Sequence, residues 1–227
     1  MKRNIITTSD GSKTIQIEEW DEQYHSKHGA VQEAYHVFIK HGLSLFENRK
    51  ISLLEIGFGT GLNTLITLIE SKRFNLEIAY TGVEAYPVTL EEVAQLDYVN
   101  ELNAQALASD FEKMHNAPWE EAIELSNNFT LQKQKKDFME IVDKDKYNLI
   151  YFDAFGARVQ PELWTEVLFQ KMYDAIGQNG VLVTYAAKGS VRRAMQSVGF
   201  KVERLPGPPG KREMLRAVKI DLGEDKS

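Results

Sequence analysis

The chain has 227 residues, a net charge of −6, 43% hydrophobic and 26% charged residues, which is typical of one soluble globular domain or one domain with an elaboration. It contains no cysteine, which excludes disulfides and thiolate-bound zinc and favours a reducing compartment, so we expect a cytoplasmic protein. The first residues lack the apolar region of a signal peptide, and no run is long enough to span a membrane.

The N-terminal residues predict a small hairpin followed by a helix. Two β-rich segments, at 5–8 and 14–17, flank the turn residues Asp10-Gly11. Apolar residues at helical spacing over 30–40 predict an amphipathic helix. We interpret residues 1–45 as an N-terminal elaboration.

From residue 46 onward, predicted strands and helices alternate. Residues 97–127 are mixed, and we expect a mainly helical elaboration there. Helices are expected from Leu62, after Pro87, and over 161–177 and 189–198. The predicted strands lie at about 51–56, 77–84, 129–133, 147–152, 181–185, 200–205 and 212–219.

This alternation predicts an α/β fold, Rossmann-like, with a mainly parallel doubly wound sheet and helices on both faces. The Pro-Gly loop at 206–210 is too short for a crossover helix, so the last strand should be antiparallel. This arrangement is that of methyltransferases that use S-adenosylmethionine (SAM). We place that domain at 46–220 and a flexible tail at 221–227.

A glycine turn follows the first strand of this domain. Gly57, Gly59 and Gly61 lie between an apolar strand and a predicted helix, as in a nucleotide-binding βα unit. A dinucleotide fingerprint needs a small residue at position 62, which is Leu62, so a dehydrogenase is disfavoured. Glu55, two residues before the first glycine, fits SAM better than NAD, and glycines let the backbone approach that cofactor.

Two carboxylates at later strand ends are candidate cofactor ligands. Glu84 ends the second strand and can accept from both ribose hydroxyls, or it is a plain surface carboxylate. Asp137 can accept from the adenine amine while Phe138 packs on the base, or it only caps a helix.

Asp153 follows the most apolar strand and is the candidate catalytic residue. A carboxylate there can accept the N–H bonds of an amine and favour loss of its proton, while the enzyme aims the nitrogen at a methyl group. Phe155 can pack near the cationic product. The alternative is that Asp153 only caps the following loop.

Basic residues are concentrated near the C-terminus. Residues 188–219 contain nine basic and two acidic side chains, a net +7, which leaves −13 for the rest of the chain. This asymmetry indicates a face that binds a polyanion, although a solvated surface is the alternative.

Histidines and aromatic residues point to no further site. His25 and His28 are three residues apart but have no evident third ligand, so we expect no metal. The tyrosines on or near strands are expected in the core, namely Tyr80, Tyr86, Tyr147, Tyr151 and Tyr185.

Four sequence blocks resemble successive blocks of one family, the MnmC-like methyltransferases of bacterial tRNA. The blocks are 55–63, 153–155 with 161–164, 191–193 with 199–200, and 210–215, and the resemblance extends over about residues 20–218. Tyr24, Glu33 and Val37-Phe38 also resemble the family's opening block. It implies SAM-dependent N-methylation of 5-aminomethyl-(2-thio)uridine at the tRNA wobble position, giving the 5-methylaminomethyl form. The alternatives are a SAM-dependent methyltransferase for a small-molecule or protein amine, and a noncatalytic tRNA-binding protein.

The resemblance also implies partners. The target base lies in the single-stranded anticodon loop of tRNA, where it can be splayed out, and we expect neither DNA nor a membrane as a partner. The FAD oxidoreductase domain fused to many relatives does not fit in this chain, so we expect a stand-alone form without FAD. Other enzymes would then form the aminomethyl group.

The resemblance assigns roles to individual residues. Asp153 and Phe155 would hold the amine and the base. The cofactor residues would be Glu55, Gly57, Gly59, Gly61, Asn63, Glu84, Asp137 and Phe138. The residues facing RNA would be Arg158, Lys188, Arg192, Arg193, Lys211 and Arg212.

The chain departs from the family at two places. The loop Gly156-Ala157-Arg158-Val159-Gln160-Pro161 lacks the family's lysine, for which Arg158 would substitute. His41-Gly42 stands where the family has Gly-Asn.

Overall fold

The computed structural model describes residues 2–9, 11–24 and 29–220. Its N-terminal part is a three-stranded antiparallel sheet, which we call the N-terminal sheet: β1 (Arg3–Thr7), β2 (Lys13–Ile17) and β3 (Glu22–Gln23). The predicted hairpin is confirmed, whereas Asp10 in its turn lies outside the described residues. The predicted helix over 30–40 consists of α1 (Ala30–Ala34) and a π-helical continuation (Tyr35–Lys40).

The remaining strands form one eight-stranded sheet in the order β10-β11-β9-β8-β4-β5-β7-β6. The five strands from β9 to β7 in this order are parallel. Strand β11 lies antiparallel between β9 and β10, which confirms the prediction for the last strand. The bounds are β4 (Lys50–Ile56), β5 (Glu77–Glu84), β6 (Ala122–Ser126), β7 (Phe129–Lys135), β8 (Tyr147–Phe152), β9 (Ile176–Thr184), β10 (Lys201–Pro206) and β11 (Glu213–Val218).

Helices cover both faces of this sheet, as the alternating pattern predicts. Helix α7 ends before Gly199, which adopts a positive φ of 108° that suits glycine at a helix end. The helices are α2 (Leu62–Arg73), α3 (Leu90–Val93), α4 (Tyr98–Glu101), α5 (Ala108–Asn116), α6 (Glu166–Ala175) and α7 (Gly189–Ser197).

Two elements differ from the sequence prediction. The expected helical elaboration at 97–127 ends in β6, which pairs antiparallel with β7 across a two-residue turn. Residues 122–126 therefore form the edge strand of the sheet, where Ile123 and Leu125 alternate with more polar residues. The helix expected over 161–177 is a 3₁₀ turn (Pro161–Trp164) and α6, because Thr165 adopts extended backbone between them.

The hydrophobic core has one cluster on each face of the large sheet. Ile15, Ala30 and Val37 of the N-terminal segment belong to the same buried cluster as α2, so this segment packs onto the sheet. The domain boundary near residue 46 stays a prediction, and the tail at 221–227 lies outside the described residues. Within the described part, no helix is long and apolar enough to cross a membrane.

Candidate functional site

The carboxyl ends of β4, β5, β7 and β8 open into one cavity of about 910 Å³. Residues that follow each of these strands line it, and the N-terminal sheet covers it through Trp20 and Tyr24. Ligands of open α/β sheets bind at this edge. The topology therefore brings the glycine turn and the candidate carboxylates together.

The glycine turn packs tightly under the cavity. The backbone amides of Gly57 and Phe58 both donate to the carbonyl oxygen of Val83, at 3.0 Å. Gly57 has a φ of +89°, and a Cβ there would lie 2.7 Å from the carbonyl oxygen of Asp153. Only glycine allows this close approach of the turns that follow β4 and β8.

Glu84 lines the cavity at the end of β5, where it was expected. Its two oxygens accept from the backbone amides of Gly59, at 3.0 Å, and Tyr86, at 2.9 Å. Burial raises the pKa of Glu84, and these two backbone donors oppose that rise. Each oxygen retains a lone pair, so the carboxylate can still accept from ligand hydroxyls.

Asp137 and Phe138 also line the cavity, after β7. Asp137 Oδ1 accepts from the backbone amide of Met139 at 2.8 Å, so this residue does cap the short 3₁₀ helix that follows. Asp137 therefore both caps this helix and lines the cavity.

Glu55 corrects one expectation, because it does not line the cavity. Its side chain is fully buried beneath the turn and accepts from Asn63 Nδ2 at 2.9 Å and from the hydroxyl of Tyr80 at 2.8 Å. Burial raises the pKa of Glu55 to about 8. Glu55 therefore orients Asn63 and would reach a cofactor only through it. Gly61 does not line the cavity either, and it faces the side chain of Met114.

Asn63 connects this buried network to the cavity. Its Nδ2 also donates to Asp153 Oδ2 at 2.8 Å. Its Oδ1 is buried and has no hydrogen-bond partner among the described residues. Buried acceptors are almost always satisfied, so this oxygen fits a cavity that receives an N–H group of a ligand such as SAM.

Asp153 lies at the end of β8 and faces the cavity. The pKa of Asp153 is raised to about 7, first by burial and then by the charge of Glu33, while the hydrogen bond from Asn63 and the charge of Lys211 oppose this rise. A carboxylate with a pKa near neutrality suits proton transfer at physiological pH.

Aromatic side chains form one wall of the cavity. The ring of Phe155 makes edge contacts with Trp20, at 5.5 Å between centroids, and Tyr24, at 5.0 Å. The hydroxyl of Tyr185 donates to the carbonyl oxygen of Ala154 at 2.8 Å. Such a wall can hold a flat ring.

Sequence reasoning missed most of this wall. Trp20 and Tyr24 were not proposed as site residues, since only the fold brings the N-terminal sheet over the glycine turn. Of the tyrosines expected in the core, Tyr80, Tyr147 and Tyr151 are buried. Tyr86, which is 61% exposed, and Tyr185 instead line the cavity.

Arg158 is exposed and lines the cavity, and its guanidinium also contacts the N-terminal segment, so its expected role toward RNA stays a prediction. Its Nη2 donates to the carbonyl oxygen of Trp20, at 2.8 Å, and to Glu22 Oε2, at 3.0 Å. Arg3, in β1, donates to the carbonyl oxygen of Tyr86 at 2.8 Å and to Glu92 Oε2 at 3.1 Å. These two arginines hold the N-terminal sheet over the cavity.

Lys211 is also placed differently from expectation. It forms an ion pair with Glu33 in the cavity wall, and its Nζ lies 3.8 Å from the ring centroid of Tyr185. Glu33 was not proposed as a site residue. A signal existed, because this charged residue shares the buried face of α1 with Ala30 and Ala34.

The exposed basic face is smaller than the charge count suggests. Lys188 and Arg212 are exposed and line the cavity, whereas Arg192, half-buried, and Arg193, exposed, lie outside it on α7. Other basic residues of this segment are paired with acidic ones: Arg204 with Glu213, Arg216 with Glu203 and Lys219 with Asp145.

No group of three histidine or acidic side chains suitable for a metal occurs among the described residues. His25 and His28 lie outside them. The expectation of no metal therefore stays a prediction.

Comparison with known proteins agrees with the fold. Residues 83–220, more than half of the chain, match the family described as S-adenosyl-L-methionine-dependent methyltransferase. The tRNA 5-methylaminomethyl-2-thiouridine biosynthesis bifunctional protein MnmC of Hydrogenovibrio crunogenus is 27% identical over 231 residues, covering 94% of this chain and 33% of that protein. The MnmC protein of Paraburkholderia xenovorans is 27% identical, covering 86% of this chain and 32% of that protein. The chain thus spans about a third of the length of these curated relatives.

Solved structures show the same architecture. The crystal structure of MnmC2 from Aquifex aeolicus superposes with a TM-score of 0.74 and 26% identity, covering 95% of this chain and 70% of that one. Spermidine synthase from Thermotoga maritima superposes with a TM-score of 0.62 and 14% identity, covering 96% of this chain and 68% of that one, a likeness of fold alone.

Proposed function

The chain belongs to the S-adenosyl-L-methionine-dependent methyltransferase family, and we propose that it methylates the amine of 5-aminomethyl-(2-thio)uridine at the wobble position of tRNA. The relatives named for biosynthesis of the methylaminomethyl nucleoside support this substrate. The observation that carries the proposal is Asp153, a carboxylate with a pKa of about 7 that faces the same cavity as the glycine turn and Glu84.

The cavity suits SAM at its inner end. Glu84 would accept from the ribose hydroxyls, Asp137 from the adenine amine, and Asn63 Oδ1 from the amino group of the methionine part. The glycine turn leaves room for that part, because Gly57 and Gly59 carry no Cβ where they line the cavity. When bound, SAM supplies a sulfonium methyl group, and its carbon–sulfur bond breaks as the amine nitrogen takes the methyl.

Asp153 would prepare the amine for this transfer. An alkylammonium has no lone pair, so it must lose a proton before its nitrogen can attack. Ionised Asp153 would accept that proton and hold the remaining N–H groups, and Asn63 fixes the position of its Oδ2.

The outer part of the cavity suits a nucleotide that leaves a single-stranded loop. Phe155, Trp20 and Tyr24 offer aromatic surface for the base, and stacking on such side chains is how proteins hold splayed-out RNA bases. Lys188 and Arg212 at the rim would contact phosphates.

A methyl-transfer assay tests the proposal. Purified protein would receive labelled SAM and tRNA carrying 5-aminomethyl wobble uridine, and digested nucleosides would be identified by mass spectrometry. We expect the 5-methylaminomethyl nucleoside from the wild type, and a 10²–10⁴-fold slower reaction, roughly, from Asp153→Asn with SAM binding retained.

Other results would select the alternatives. SAM binding without methylation of this tRNA, together with salt-insensitive binding of a different amine, would favour a small-molecule or protein substrate. Binding of tRNA without any binding of SAM would favour a noncatalytic protein. Full activity of Asp153→Asn would remove that residue from its proposed role.

A further inference from the structure

We infer that Glu33 and Lys211 are positioning residues for Asp153, and that their ion pair sets the electrostatic field in which Asp153 meets the substrate's ammonium group. This inference rests on the proposed amine substrate and deepens it, because it assigns two further residues to the amine subsite. Neither residue follows a strand of the parallel sheet, so the usual arrangement of carboxylates at strand ends does not account for them.

The contacts place this pair beside the turn that follows β8 and begins at Asp153. Glu33 comes from α1, and Lys211 comes from the loop between β10 and β11. The ammonium of Lys211 contacts both the carboxylate of Glu33 and the face of Tyr185. The hydroxyl of Tyr185 in turn donates to Ala154, the residue after Asp153. Glu33, Lys211 and Asp153 all line the one cavity.

The charges that face Asp153 are few. Tyr185 stays neutral, since burial raises its pKa well above the ordinary value. Glu55 lies behind Asn63, and burial disfavours its charged form by raising its pKa to about 8. Arg158 is turned toward Glu22, and Lys188 lies at the rim. Glu33 and Lys211 therefore dominate the field at Asp153.

This arrangement balances charge when an ammonium enters. Ionised Asp153 and Glu33 then face Lys211 and the substrate, two negative groups against two positive ones. Transfer of the proton to Asp153 leaves a neutral acid, a neutral amine and the intact ion pair. Without Glu33, Lys211 would repel the ammonium and would favour ionised Asp153, which makes the carboxylate a weaker base.

The sign of each substitution follows from these charges. Glu33→Gln removes a negative neighbour and should lower the pKa of Asp153 by about one unit. Lys211→Met removes a positive neighbour and should raise it by about the same amount. The double variant removes one charge of each sign and should return the pKa to near that of the wild type.

The first readout needs no substrate. Protein labelled with ¹³C at aspartate carboxyl carbons would be titrated by NMR, and Asp153→Asn would assign the resonance. Glu77→Gln is the matched control, because Glu77 pairs with Lys50 at the amino ends of β4 and β5, away from the cavity. Calorimetry of SAM binding would verify that each variant folds. An unchanged Asp153 pKa in Glu33→Gln, or no compensation in the double variant, would overturn the inference.

The second readout is methyl transfer as a function of pH. For Glu33→Gln, we expect the acidic limb of kcat/KM to move to lower pH. We also expect KM for the aminomethyl tRNA to rise about tenfold, because Lys211 without its partner repels the substrate's ammonium group. NMR shifts as expected with no methylation by the wild type would support the inference about Asp153 and reject the proposed substrate. Methylation by the wild type with identical pH profiles in all variants would support the proposed substrate and reject the inference about Asp153.

Discussion

Replacing Asp153 by asparagine should stabilise the folded protein above neutral pH, although it removes the group proposed to take the substrate's proton. Asparagine keeps an oxygen acceptor for Asn63 Nδ2, which lies 2.8 Å from Asp153 Oδ2. The substitution therefore removes mainly a charge that the surroundings disfavour, and the neighbouring hydrogen bond is retained.

The magnitude follows from the pKa of Asp153. Burial raises it from 3.8 to about 7, so the folded state binds the proton more tightly than the unfolded chain. Between these pH values the wild type loses stability as pH rises, because the charged form is penalised only when folded. Between pH 5 and pH 7, two pH units correspond to at most about 3 kcal/mol. The carboxylate is only half-buried at the cavity wall, and screening by solvent there reduces this to about 1–2 kcal/mol.

Urea denaturation of both proteins at pH 5 and pH 8.5, without SAM, measures this difference. We expect the stability of Asp153→Asn relative to the wild type to be about 1–2 kcal/mol higher at pH 8.5 than at pH 5. Asp143→Asn is the control, because it removes an ion pair with Lys146 at the amino end of β8 and should gain nothing at high pH. A pH-independent difference between Asp153→Asn and the wild type would refute the reasoning.

Three further changes test other parts of the site. Gly57→Ala should destabilise the protein by about 1–3 kcal/mol and weaken SAM binding in calorimetry; Gly11→Ala, at φ +91° with open space around it, measures backbone strain alone, and an equal loss there would contradict a role for close packing. Arg158→Ala should speed dissociation of SAM in stopped-flow measurements, because the N-terminal sheet loses three hydrogen bonds; an unchanged rate would show that the sheet does not retain the cofactor. Arg212→Ala should reduce the magnitude of the slope of log K for tRNA binding against log salt concentration by about 0.7–0.9. Lys50→Ala, at the amino end of β4, should leave this slope unchanged. Equal slopes in both variants would place the RNA elsewhere.

The sequence was sufficient to predict the elements that carry a strong local signal. The glycine turn, the apolar strand before Asp153 and the short Pro-Gly loop each determine their own backbone, so the parallel sheet and its antiparallel last strand could be predicted. Glu84, Asp137 and Asp153 also reach the cavity as expected, because parallel strands that end in carboxylates bring them to one edge.

Residues that act across long sequence separations could not be predicted in the same way. Glu55 satisfies the spacing rule for a cofactor ligand, yet it is buried below the turn because Asn63 and Tyr80 supply its hydrogen bonds. Lys211 and Lys219 belong to the basic segment 188–219, but their partners Glu33 and Asp145 lie far away along the chain. Charge counted along a segment therefore overstated the face available to RNA.

The ion pair between Glu33 and Lys211 joins residues separated by 178 positions. A chain emerging from the ribosome could form the glycine turn and its strand early, but it would lack the cation opposite Glu33 until the loop after β10 had been made. Contacts this distant are slow to form, because the intervening chain must first be ordered. The same feature makes completion of the site depend on the last part of the chain. A chain cut directly after β10 would keep the glycine turn and lose Lys211, the cation that balances the carboxylates around Asp153.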